Sequence, residues 1–407
     1  MTKWTAVPGT NDRATDSAVA FDARHNVWLV SSLTLLETPS VHGNAVVTSR
    51  STDGGFTWGN PVVTATGGDL DKNWIVCDNT ASSAFYGNCY TQWDDHGSGN
   101  RLQMNRSTDG GLTWSAPATN NTGVIGGQPV VRPDGTVIVP IANANETAVG
   151  AFNSTNGGVS WSAVTTIALV NHHTVAGSLR EGPLPSAEID GAGTVYVAWT
   201  DCRFRRACKA NDIVLSHSLN ATGTSWSSVS RVPIDATNSG VDHFIPGLAV
   251  NKSTSGSTAQ LGLTYYFYPS GTSQLNVGFI SSTSAGSTWG TPQTILHRRD
   301  AVDLGSNHQP GPDGRRLHLH LVRVGQPRAR RLRSRPDPDD RCGDVLHDDG
   351  AGQLRRPHRH LGHRHGGRSA VVGGRSRAVH RQRRHQRVQP VARRGQQRQQ
   401  APRLTSR

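Results

Sequence analysis

From His297 to Arg407 the sequence contains no Lys, Glu, Phe, Trp, Tyr, Ile or Met. A segment without aromatic side chains has little to bury. A basic segment with 27 Arg and no Lys is also unlike ordinary charged tails, which mix Lys, Glu and Ser with Arg. The first 296 residues lack other things. They are poor in Lys, Glu and Leu, show no apolar period of 3.6, and hold no apolar run of the about 18 to 20 residues that a membrane-spanning helix needs. No charged stretch followed by an apolar one stands at Met1, so no signal peptide is expected there.

Charge divides at the same place. The whole chain has 42 Lys+Arg against 29 Asp+Glu, net +13, which suggests a nucleic-acid partner. Residues 1–296, however, hold 15 and 20, net −5, and residues 297–407 hold 27 and 9, net +18. A nucleic-acid reading therefore rests on the second piece alone, and no nucleic acid is expected as a partner. All 10 Trp, 8 Phe and 6 Tyr lie in the first piece, which is rich in Gly, Ser, Thr and Val. That composition predicts an all-β fold in one large domain.

A repeat sets the architecture. Ser51-Thr-Asp53-Gly-Gly55-Phe-Thr57-Trp58 recurs as Ser107-Thr-Asp109-Gly-Gly111-Leu-Thr113-Trp114. Weaker copies follow at Ser154, Asn156, Gly158 and Trp161, at Ser218, Asn220, Gly223 and Trp226, and at Ser282, Ser284, Gly286 and Trp289. Lys3-Trp4-Thr5 reads as the tail of another copy. The tryptophans are spaced 54, 56, 47, 65 and 63 residues apart. Between copies, short β runs separated by turn residues give each unit four strands, the last two flanking the box. Four-stranded sheets at this period predict a β-propeller of six or seven blades, about five of them within residues 1–296, incomplete at both ends of this chain. In the box, Asp or Asn is expected to accept backbone N–H groups and Gly to permit positive φ. Trp should bury its ring against the next blade.

The repeat resembles the Asp box, or BNR repeat, of sialidases and related glycoside hydrolases, and Asp71-Lys-Asn-Trp74-Ile-Val-Cys77-Asp78 and Val241-Asp242-His-Phe-Ile-Pro-Gly247 resemble its bacterial secreted branch. The resemblance implies an exo-α-sialidase-like hydrolase acting on terminal acidic sugars, needing no cofactor or metal. Non-catalytic propellers that bind glycans or proteins carry the same box.

The four cysteines before His297 fall into two local pairs, Cys77 with Cys89 and Cys202 with Cys208, which favours disulfides and an extracellular or cell-envelope location. After Leu296 the periodicity stops. Reading the codons that could encode residues from His297 onward one base later restores apolar alternation and aromatics, so residues 297–407 are expected to be a frameshift product, disordered and without a partner. The chain is then expected to be inactive and poorly soluble for want of its last blade. The His358–His365 tract, an alternative metal site, belongs to the same text.

Strand parity places the boxes at one end of the sheets and the functional loops at the other. Candidates there are Arg13 and Asp16; Asp71, Lys72 and Asp78; Asp94 and Asp95; Arg180, Glu181 and Glu188; Asp201 and Arg203; and Asp242 with His243. The resemblance implies that Arg13, Arg180 and Arg203 clamp a substrate carboxylate through paired guanidinium hydrogen bonds, that Asp16 or Asp71 acts as the acid, and that Glu181 or Glu188 activates a Tyr nucleophile. The Arg-Ile-Pro signature of sialidases is absent, and a suitable Tyr occurs only in the shifted frame. Asp201 and Arg203 can equally pair with each other, Arg50 and Arg106 read as outer-strand surface residues, and His172-His173 is too short a cluster for a metal site. The partner is expected to be a glycan or sialoside, and the protein a monomer.

Overall fold

A computed structural model describes residues 13–297 except 177, 178, 180, 270, 271 and 273. The described chain is all-β, with three single turns of 3₁₀ helix, and no helix among these residues is long and apolar enough to cross a membrane. The expected tail with its His358–His365 tract and the Lys3-Trp4-Thr5 copy lie outside the described residues.

Five antiparallel sheets follow one another in chain order. The first is β1 (Arg13–Asp22), β2 (Val27–Leu36), β3 (His42–Ser51) and β4 (Val62–Thr66). The second is β5 (Leu70–Cys77), β6 (Cys89–Asp95) and β7 (Arg101–Ser107). Where a fourth strand was predicted it has only isolated bridges, Met104 with Ala118 and Arg101 with Gly123. In the third sheet β8 (Val124–Gly127) and β9 (Val130–Val131) share the first place against β10 (Val137–Asn143), followed by β11 (Ala148–Ser154) and β12 (Thr165–Leu169). The fourth is β13 (Ser186–Ile189), β14 (Val195–Asp201), β15 (Asp212–His217) and β16 (Ser230–Arg231). The fifth is β17 (His243–Val250), β18 (Leu261–Phe267), β19 (Asn276–Ser282) and β20 (Gln293–His297).

The core lies between sheets. Ala18 and Leu29 of the first sheet pack with Ile75 and Cys89 of the second, and Tyr90 and Met104 of the second pack with Val137 and Phe152 of the third. Ile138 meets Val197 and Trp199 across the next junction, and Tyr196 and Leu215 meet Leu263 and Tyr265 across the last. Burial on both faces accounts for the nearly unbroken apolar runs of β10 and β14.

The boxes close the β3–β4 type turns. Ser51 Oγ accepts the Gly55 N–H at 2.9 Å, Asp53 accepts the Thr57 N–H at 2.9 Å, and the Trp58 indole donates to the Gly55 carbonyl at 3.1 Å. Gly111 and Thr113 repeat the first two bonds, and the copies at Ser154 and Ser282 repeat them with Asn156 and Ser284 in place of Asp. Hydrogen bonds from Thr57, then from Ser51, hold the exposed Asp53 carboxyl down at about 2.

The expected direction of box packing is corrected. From the second sheet on, the boxes dock on the preceding sheet, not the next: a Cβ at Gly111 would stand 2.9 Å from Leu29 Cδ2, and one at Gly158 2.9 Å from Tyr90. Arg50 and Arg106, read as surface residues, tie the sheets together. Arg50 Nε donates to the Gly110 carbonyl (2.7 Å) and Arg106 Nη1 to the Gly157 carbonyl (3.0 Å), each in the next box.

A second repeat escaped the sequence reading. Asp22, Asp78, Asp134, Asp190 and Asn251 stand at the exits of the five first strands, and each side chain accepts the N–H two residues on, at 3.0–3.1 Å. These are Asx turns, fixing the first hairpin of every sheet.

Candidate functional site

The boxes and the Asx turns occupy the same end of the sheets. Asp78 belongs there, which corrects its place among the functional candidates: it bonds Thr80 and Ser83, and burial, working against those bonds, raises its carboxyl above the usual range. Glu188 is corrected too. It pairs with Tyr196 in mid-sheet, and its carboxylate approaches Lys252, in the Asx turn after β17, at 3.9 Å.

The opposite end is built differently. Four first strands there are broken by register shifts, and each shift carries a residue at positive φ: Asp16 (50°), Lys72 (59°), Gly126 (71°) and Ile245 (48°). A bulge of this kind re-aims side chains, and non-Gly residues hold a left-handed conformation at a cost of about 1–3 kcal/mol that the surroundings must meet. Lys72 is buried, its ammonium bonded to Asp71, and a Cβ on Gly126 would lie 3.9 Å from Lys72 Cβ. Asp71 stands directly across from the fully buried Asp94 on β6. Asp95, at the end of β6, instead accepts the Asp69 N–H and the Ser98 hydroxyl.

The arginines are engaged. Arg13 Nε lies 3.1 Å from Glu37 Oε1. Arg203 meets Asp201 twice, Nε to Oδ1 at 3.0 Å and Nη2 to Oδ2 at 2.7 Å, and also donates to the Leu169 carbonyl. Arg180 lies outside the described residues.

Glu181 is buried and accepts from His172 Nε2 at 2.7 Å. Burial pulls the His172 imidazole down, but the Glu181 hydrogen bond and charge, with Glu146 and Asp242 beyond, outweigh it and leave the pKa raised. Asp242 accepts His173 Nδ1 at 3.1 Å and the Asn211 N–H at 2.7 Å. His243 is not presented to a ligand from the end face, as its side chain is 3% exposed. Its ring lies 5.5 Å from Tyr265 and 6.1 Å from Phe267, and burial lowers its pKa.

Missed by sequence reasoning is the network beneath. Arg205 reaches Asp212 at 2.6 Å and Asp235 at 2.5 Å, and Arg231 reaches the same two at 2.8 and 2.7 Å. Asp212, Asp235 and His243 converge closely enough to hold a cation. Two guanidiniums already fill that role, and their charge opposes a metal ion. The local text signals little, because Arg205 stands in the β14–β15 connection, Asp212 at the start of β15, Arg231 on β16 and Asp235 in the connection after it. Disulfides join Cys77 with Cys89 and Cys202 with Cys208, the second closing the loop that carries Arg203 and Arg205.

Residues 45–299 match the family of BNR repeat-like domains. The chain belongs to that family. Among solved structures it is similar to a Dyadobacter fermentans protein of unknown function, at 12% identity over 70% of this chain and 83% of that one, TM-score 0.47. It is also similar to a Hadza microbial sialidase, at 13% identity, TM-score 0.45, over 70% of this chain and only 59% of the sialidase. A third is an α-L-arabinofuranosidase of Fusarium graminearum, at 15% identity over 56% and 66%, TM-score 0.40. No curated protein matches the chain.

Proposed function

We propose that this BNR repeat-like chain is a β-propeller of six or seven blades in its full form, and a sialidase-like glycoside hydrolase that acts on terminal acidic sugars. The observation that carries the reading is the division of labour between the two ends of the sheets. One end is given over to boxes and Asx turns, while the other gathers left-handed bulges with Arg13, Asp16, Asp71, Asp94, Glu181 and Asp242. Arg13 and Arg180 would meet the substrate carboxylate, since a guanidinium fork matches a carboxylate through two parallel bonds. Arg203 drops out of that set, because Asp201 already occupies its fork. Asp16 or Asp71 would supply the acid, and Glu181, bonded to His172, would orient or charge a neighbouring nucleophile. Residues 297–407 we read as translated out of frame, which would remove the nucleophilic Tyr and leave this chain with binding alone.

The test is turnover of a fluorogenic sialoside by the chain and by a version with the reading frame restored after Leu296. Turnover by the restored version, lost with Arg13→Ala and with Arg180→Ala, supports the hydrolase. Absence of turnover with sialoside binding unaffected by both changes favours a non-catalytic glycan- or protein-binding propeller, a reading the engaged state of Arg13 and Arg203 also suits. Secretion is part of the proposal and rests on the two disulfides.

A further inference from the structure

A cleft of about 220 Å³ is lined by the connection after β16 and by residues of the fifth sheet. Ile234 and Asp235, in the connection after β16, line it together with Pro292, Gln293 and Thr294 at the start of β20. Phe267 and His243 also line it. The volume is below the about 300–1,000 Å³ of pockets that take drug-sized ligands, so the cleft admits one small ring and not a chain of them.

Its electrostatics are neutral. Asp235 is exposed on one side only, with Arg205 and Arg231 at 2.5 and 2.7 Å on the other, and both arginines also hold Asp212. Two guanidiniums and two carboxylates sum to zero, and burial keeps His243 uncharged at neutral pH. An anionic or cationic ligand therefore gains no net attraction, and either would disturb the balance beneath. What remains is a rigid carboxylate and two exposed polar side chains beside apolar ring surfaces. A carboxylate has about four acceptor sites. Asp235 uses some for Arg205, Arg231 and the Ser239 hydroxyl, and its Oδ2 lies 3.8 Å from His243 Nε2, so capacity for one more donor remains.

We propose that this cleft binds a single neutral sugar ring. Phe267 and Pro292 would cover the ring's apolar C–H face, Asp235 would accept from a hydroxyl, and Gln293 and Thr294 would bond the hydroxyls on the outer edge. Preorganisation by the two arginines suits this task, because the acceptor does not move when the ligand arrives. The proposal stands on the cleft and does not depend on the hydrolase reading.

The experiment is saturation-transfer NMR on the full chain with the methyl glycosides of galactose, glucose, mannose and N-acetylglucosamine, and with N-acetylneuraminic acid for comparison. The expected result is saturable transfer to at least one neutral glycoside. It should weaken by about tenfold or more in Phe267→Leu and Gln293→Ala, the loss expected when one good contact is removed, and stay unchanged in Arg13→Ala. Gln293 is exposed, so its replacement leaves the fold intact, which an unchanged thermal melt checks. Transfer to no neutral glycoside, transfer undiminished in both cleft variants, or transfer to N-acetylneuraminic acid alone overturns the proposal. Sialoside turnover scored in the same samples keeps a failure of the hydrolase reading separate from a failure of this one.

Discussion

Arg203 holds Asp201 by two hydrogen bonds, at 3.0 and 2.7 Å, so the arginine nominated for a substrate carboxylate already carries a carboxylate of its own chain. Asp201 is fully buried and also accepts from the Trp199 indole at 3.3 Å. Arg203→Ala would strand a buried charge with only neutral donors around it. The expected loss is about 3 kcal/mol, the low end for breaking a buried pair, because Arg203 is itself about a quarter exposed. Asp201→Asn in the same chain should restore part of it, giving an interaction energy of about 0.5–3 kcal/mol in a urea-denaturation cycle. Additive single effects would count against the pair.

Gly111→Ala tests the docking of boxes on the preceding sheet. The residue sits at φ +81°, and a Cβ there would press on Leu29. Gly99 gives the control, since it has a similar φ of +73° but open space around it. Backbone strain alone costs about 1–3 kcal/mol at either site. Gly111→Ala should therefore lower the melting temperature clearly more than Gly99→Ala, and equal losses would mean that the box does not bear on the first sheet.

The His172–Glu181 contact gives a pH dependence of defined sign. The folded-state pKa of His172 is raised, so the pair stabilises the fold fully below the ordinary value near 6.5 and loses that contribution as pH rises through the higher folded value. An NMR titration should place the His172 midpoint above 6.5, and Glu181→Gln should bring it down. A midpoint below 6.5 would contradict the contact. His243, buried among aromatic rings, has the opposite sign, its contribution being lost as pH falls from 6.5.

Much of this fold could be read in advance because its determinants are local and repeated. The hydrogen bonds of Ser107 and Asp109 span two to four residues, so the box is visible in any short window. The first hairpins were legible for the same reason, although the Asx turns that close them at Asp22, Asp78, Asp134, Asp190 and Asn251 passed unnoticed and left Asp78 on the wrong end. The candidate site was less legible. Arg205 with Asp212 at the start of β15, and Arg231 with Asp235 at and after β16, are two short-range pairs that meet only in the fold. Glu188 could have been placed in mid-strand from the text, because Gly182-Pro183-Leu184-Pro185 marks the turn before β13 and Glu188 lies past it, on the strand.

The two disulfides should contribute in the reverse of their loop lengths. Chain entropy alone assigns about 3 kcal/mol to the 12-residue separation of Cys77 and Cys89 and about 2 kcal/mol to the 6-residue separation of Cys202 and Cys208. The shorter loop, however, carries Arg203 and Arg205, whose partners Asp201 and Asp212 are buried, and it holds Ala207 and Cys208 at φ +53°. When that bond opens, the strained turn can relax and draw both cations from their carboxylates, which adds the penalty of uncompensated buried charge to the entropy. Thermal melts of Cys202→Ser/Cys208→Ser and Cys77→Ser/Cys89→Ser should show the larger loss in the first. A larger loss in the second would mean that Arg203 and Arg205 stay in place without the bridge, held by Asp201, Asp212 and Asp235 alone.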